Sequence, residues 1–202
     1  MMMDHPVEHL PHTPLKVAFL TGLSNPASCC LSRPCQQFMA QLDCPEAWKL
    51  YLNFPYIPST EDEEKVGILQ ASWANGWQFL RARSPHYRQA AQRHLNHLLA
   101  SADRLFLLVG SCGLEILNQA WPNAMPNAID LDRVSIVAFG PVAYRRPWAT
   151  CTLIQGDQDG ISRLFFRKVE VILPNLGHMD YVYDPRFFDL VSQALARTLS
   201  TL

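Results

Sequence analysis

The chain lacks a dominant charge: 17 Lys and Arg stand against 18 Asp and Glu, for a formal net charge of -1. A near-neutral balance gives no general electrostatic reason to bind nucleic acid or an anionic membrane, and Arg81, Arg83 and Arg88 read as a solvated helix face. Also missing is any apolar run long enough to span a bilayer, and the start MMMDHPVEHLPHTPLK has no basic region followed by an apolar core. The expectation is a cytoplasmic protein without nucleic-acid or membrane partners, its oligomeric state left open. The six cysteines include no paired C-x-x-C spacing among Cys29, Cys30, Cys35 and Cys44, which argues against a structural zinc site; without an export signal they read as reduced packing or loop thiols. No internal repeat or low-complexity tract is present.

What is there suffices for one domain. The chain has 202 residues, 49% apolar and 17% charged, enough to bury a substantial core. Short, mostly apolar runs at Val17 to Gly22, Leu50 to Phe54, Leu105 to Gly110, Val134 to Phe139, Thr152 to Gln155 and Val169 to Leu173 read as strands buried on both faces. Helices are expected at Pro34 to Leu42, Glu61 to Arg83, Tyr87 to Ala100, Gly113 to Ala120 and Pro185 to Leu199. Such alternation predicts an α/β fold: one doubly wound, mostly parallel sheet of about six strands flanked by helices. The domain is expected to fill 16–202, after a flexible tail over 1–15 that carries His5, His9 and His12.

The stretch Arg104 to Asn118, RLFLLVGSCGLEILN, reads as a strand, a tight turn and a helix. A nucleophile at such a turn is held clear of its own backbone, and its neighbours two residues away must be small. Cys112, with Gly110 before it, is the first candidate for that apex. In the other register Ser111 is the nucleophile, which places Gly113 correctly but puts the branched Val109 in the first small-residue position. Cys112 can also be read as a buried small hydrophobe. Downstream, TCTLIQGDQDGIS ends in an acidic loop, and VEVILPNLGHMD carries His178 after the next strand.

Nucleophile, acid and histidine in that chain order resemble the α/β-hydrolase family, with cysteine where serine is usual. The resemblance extends to KVAFLTG at Lys16 to Gly22, like the strand leading into the family's oxyanion loop, with Thr21-Gly22 where His-Gly is frequent, and to WKLYLNFPY at Trp48 to Tyr56, like its next strand. Asn53 and Tyr56 depart from the relatives' Asp-x-x-Gly. Dienelactone-hydrolase-like and thioesterase-like enzymes are the relatives nearest in kind. The resemblance implies a sheet order of 2-1-3-4-5-6 with the substrate at the C-terminal ends of the first and third strands.

It further implies a small acyl hydrolase acting on carboxylic esters or thioesters through an acyl-Cys112 intermediate. His178 would be the base and Asp159 its orienting acid, with Asp157 the alternative; both aspartates also suit turn formation. Backbone N–H groups of Leu23 and Gly113 would form the oxyanion hole. Trp73 and Trp77 share a helical stripe with Leu80 inside 57–84, which reads either as a small cap binding a small-molecule acyl substrate or as an ordinary helix packed on the sheet. Acyl transfer by the same residues, and a degenerate hydrolase fold kept as a binding or scaffold protein, are the alternatives. No cofactor is required and no metal is expected, since His94 and His97 share a helix without a third ligand.

Overall fold

The computed structural model describes residues 10–21, 30–53, 85–124 and 128–202. Six strands form one sheet, all neighbours parallel: β1 (Thr13–Leu20), β2 (Lys49–Asn53), β3 (Ala102–Gly110), β4 (Val134–Phe139), β5 (Thr150–Gly156) and β6 (Val171–Leu173). Their order is β2-β1-β3-β4-β5-β6, so the chain reverses direction across the sheet between β1 and β3. In sheets of this kind the crevice at that switch point, at the C-terminal ends of the strands, is where ligands sit.

Alternation along β3 explains the two layers. Leu105, Leu107 and Val109 enter one core with Leu95 and Leu98 of helix α2 (Pro85–Ala100) and Leu114 and Leu117 of helix α3 (Gly113–Ala124). Phe106 and Leu108 point the other way, joining Phe38 and Met39 of helix α1 (Arg33–Gln41) and Phe187 and Val191 of helix α5 (Pro185–Leu199). Both faces are covered, which is why the strand is a nearly unbroken apolar run. Each fully buried Leu or Phe contributes roughly 1.5–3 kcal/mol relative to exposure.

The bounds of β4 and α5 coincide with the runs read from the sequence. For α5 the reason is local: Asp184 caps the helix by accepting from the N–H groups of Arg186 and Phe187, and Pro185 starts it. A short helix α4 (Gly160–Phe165) was not expected. β1 begins earlier than expected, so Thr13 and Leu15 of the segment read as a tail pair with Ala102 and Arg104 of β3. Pro14 hid this start, but β2 joins β1 only from Val17 onward, so among the described residues the strand has a neighbour on one side at Pro14 and the missing N–H is tolerated. The helix expected at Glu61 to Arg83, the segment 57–84 with Trp73 and Trp77, and Leu23 lie outside the described residues. No helix among the described residues is long and apolar enough to cross a membrane.

One core residue makes stability depend on pH. His94 on α2 is 4% exposed, and burial, aided by the charges of Arg93 and His97, lowers its pKa to about 4. The unfolded chain takes up that proton first, near the ordinary 6.5. The stability due to the neutral imidazole is therefore complete above about 6.5 and is lost as the pH falls towards about 4. Urea unfolding is expected to show a loss of roughly 2 kcal/mol between pH 7 and pH 5. His94→Leu should remove most of that difference; an unchanged slope in the variant would show that other groups cause it.

Candidate functional site

The strand-to-helix turn between β3 and α3 is built around Ser111. Its φ of 51° lies in the left-handed region, a strain of about 1–3 kcal/mol for a residue with a side chain. Three backbone bonds hold it there: its N–H donates to Phe139 O (3.1 Å), and its carbonyl accepts from Val142 N (3.1 Å) and Leu114 N (3.3 Å). Gly113 makes the turn feasible, because a Cβ there would overlap the carbonyl of Leu20 in β1. The position before the turn has no such demand, since Val109 points into the core shared with α2 and α3. A branched residue therefore sits where the G-x-S-x-G pattern has its first glycine.

The Ser111 Oγ lies 3.0 Å from Nε2 of His178, and Nδ1 of His178 lies 2.9 Å from both carboxylate oxygens of Asp159. Asp159 ends the loop after β5, and His178 lies in the loop after β6, so the sheet brings them together across 19 residues of sequence. Asp159 is fully buried. Burial alone would raise its pKa, but hydrogen bonds from His178, from the Ser162 N–H and from Tyr181 outweigh this and hold it at about 2. An ionised carboxylate only accepts, so Nδ1 carries the ring proton, Nε2 accepts, and the Ser111 hydroxyl donates.

Cys112, expected at the apex, is instead 2% exposed. Burial pushes its thiol pKa up to about 12, so at neutral pH it holds its proton, and it is Ser111 that meets the imidazole. The physical reason for this correction is register: the close strand–helix approach falls at Gly113, two residues after Ser111, as the alternative reading required. Asp157 also lies away from the histidine. Its Oδ1 accepts from Asn175 N (2.7 Å) and its carbonyl from Arg163 (2.6 Å), which fastens the loop. Asp159 faces His178 and also caps α4, its Oδ1 accepting from Ser162 N at 3.0 Å.

Two supporting residues had no signal in the sequence, and a third, Asn53, showed there only as a departure from the relatives' Asp-x-x-Gly. Tyr181 is buried; its hydroxyl donates to Asp159 Oδ2 (2.7 Å) and accepts from Gly156 N (2.8 Å). Tyr181→Phe would leave that N–H without its acceptor, and chemical denaturation should show a loss of about 2 kcal/mol. Loss of much less would mean that water replaces the hydroxyl. Gly140, at φ 51°, is the second: a Cβ there would crowd Asp159, Tyr181 and His178 at 3.0 to 3.2 Å. The third is Asn53 at the end of β2. It accepts from Thr21 N (2.8 Å) and donates to Thr21 O (3.2 Å) and Oγ1 (2.9 Å), anchoring the chain after β1 beside the site.

In front of Ser111 is a cavity of about 190 Å³ whose lining includes Thr21, Ser111, Phe139 and His178. It opens at the C-terminal ends of β1 and β3, the switch point of the sheet.

A six-stranded parallel sheet of this order, flanked by helices, is an α/β-hydrolase-like fold. No protein-family model and no curated protein matches the chain. Among solved structures it is similar to a candidate α/β hydrolase of unknown function from Agrobacterium tumefaciens, with 12% identity and a TM-score of 0.45 over 95% of this chain and 89% of that one. It is also similar to an uncharacterized protein from Bacillus cereus ATCC 10987, with 14% identity and a TM-score of 0.44 over 98% of this chain; this chain spans 64% of that protein's length.

Proposed function

We propose that the protein is a serine-dependent acyl hydrolase acting on carboxylic esters or thioesters, with Ser111 as nucleophile, His178 as general base and acid, and Asp159 as the group that orients the imidazole. The observation that carries this reading is the continuous hydrogen-bonded chain from Ser111 Oγ through both ring nitrogens of His178 to Asp159. Ser111 Oγ adds to the carbonyl carbon as Nε2 of His178 takes its proton. The carbonyl oxygen becomes an oxyanion, to which the N–H of Cys112, the residue after the nucleophile, donates in this mechanism. This replaces Gly113 as the donor expected when Cys112 was the apex. The carbon–oxygen or carbon–sulfur bond to the leaving group then breaks, and His178 returns the proton to that group. Water attacks the acyl-serine by the same route in reverse, releasing the acid and restoring the hydroxyl.

Partial exposure of Ser111 and His178 supports hydrolysis, because water reaches the acyl group. The test is labelling with a fluorophosphonate, which forms a phosphorus–oxygen bond to an activated serine and releases fluoride. Peptide mapping should place the adduct on Ser111, and it should depend on His178. A protein that stays unlabelled, or an adduct on another residue, would overturn the assignment.

A further inference from the structure

The cavity in front of Ser111 differs in character from the polar chain behind it. Pro34 and Cys35 from the first turn of α1, Phe139 from the end of β4, and Met179 and Val182 from the His178 loop contribute its apolar walls. No Lys, Arg, Asp or Glu lines it among the described residues. Pro34 has no N–H to offer an anion. Phe139 cannot swing aside, because its ring is held against Phe19 (6.2 Å), Tyr181 (5.6 Å) and Phe187 (5.0 Å) in a close-packed cluster. Cys35 is packed against the same cluster. At the mouth, Met179 and Tyr183 are 66% and 68% exposed, so the apolar surface continues outward.

Building on Ser111 as the nucleophile, we propose that the substrates are esters whose acyl group is neutral, apolar and about the size of a benzene ring, with Phe139 and Cys35 setting the limit. The size follows from the volume of about 190 Å³, since apolar cavities of about 150 Å³ in other proteins take up benzene. Every methylene that enters gains about fourfold in binding until the space is filled. An acyl chain ending in a carboxylate would have to shed its water beside Phe139 and Pro34, with no cation among the described lining residues to face it.

The test compares kcat/KM for aryl esters of acetate, butyrate, benzoate, decanoate and hemisuccinate, on the same preparation that is labelled with fluorophosphonate. Butyrate or benzoate should be preferred, with hemisuccinate about 100-fold poorer than butyrate, near the upper end of what pocket discrimination supplies. Cys35→Trp, which fills the cavity, should lower the butyrate-to-acetate ratio at least about tenfold, and Cys35→Ala should shift it the opposite way. If Ser111 is labelled but hemisuccinate or decanoate is favoured, if the Cys35 variants leave the ratio alone, or if none of the esters is cleaved, the substrate class is wrong and the nucleophile stands. Absence of both label and turnover overturns the two together.

Discussion

Ser111→Ala is expected to lower kcat for aryl ester hydrolysis by about 10⁴-fold or more, whereas Cys112→Ala should retain activity to within about threefold of the native chain. The difference comes from position. The serine hydroxyl is 3.0 Å from the imidazole, while the thiol is buried, with a pKa pushed up to about 12. Losing the buried sulfur should destabilise the protein by about 1 kcal/mol, through packing alone. A third variant separates strain from chemistry. Ser111→Gly should be as inactive as the alanine variant, yet it relieves a φ of 51° and should unfold at higher denaturant, with a gain of about 1 kcal/mol. Steady-state kinetics and urea unfolding on the same three proteins check all of this. Loss of activity in Cys112→Ala with survival of Ser111→Ala would return the nucleophile to the thiol.

Asp159→Asn should lower kcat by about 10³–10⁴-fold with little change in KM. Asparagine still caps α4, because its side-chain oxygen can accept from Ser162 N, so the fold persists. What is lost is an anion facing Nδ1 of His178 at 2.9 Å; an amide N–H there favours the tautomer whose Nε2 carries the proton and cannot accept one from Ser111. Asp157→Asn, the neighbouring change, should leave kcat within about twofold, since its partners are Asn175, in the loop after β6, and Arg163, on α4, and not His178. Acid unfolding gives a second readout. The folded pKa of Asp159, about 2, is below the ordinary 3.8. Its ionised form thus contributes stability that is complete above about 3.8 and is lost as the pH falls through about 2, on the order of 2 kcal/mol in all. The Asn variant should lack that acid loss, and a wild-type slope in it would show that Asp159 is not held ionised by these bonds.

The sequence was sufficient for the architecture because apolar periodicity and capping are local. The short apolar run Val134–Phe139 reads as a strand buried on both faces and is one, and Pro185–Leu199 is held by a local cap, since Asp184 accepts from the N–H groups of Arg186 and Phe187 in the structure. Helix α4 escaped because Gly160 follows Asp159 in what reads as a plain turn; one side-chain bond to Ser162 N turns it into a cap.

The elbow shows where local reading ends. Both registers were visible in Val109-Gly110-Ser111-Cys112-Gly113, and the signal that separates them, the glycine two residues after Ser111, was present. Its weight depends on the carbonyl of Leu20, a strand that is distant in sequence and reaches Gly113 only once β1 lies beside β3. Tyr181 carries no local signature, and Asn53 only a departure from the relatives' motif, since each acts on a partner 22 or 32 residues away. By itself the sequence determined the alternation of strands and helices, the acidic loop holding Asp159 and the loop holding His178. Only the tertiary structure decided which of two adjacent side chains faces that histidine, because that choice is made by backbone crowding between elements that meet on folding.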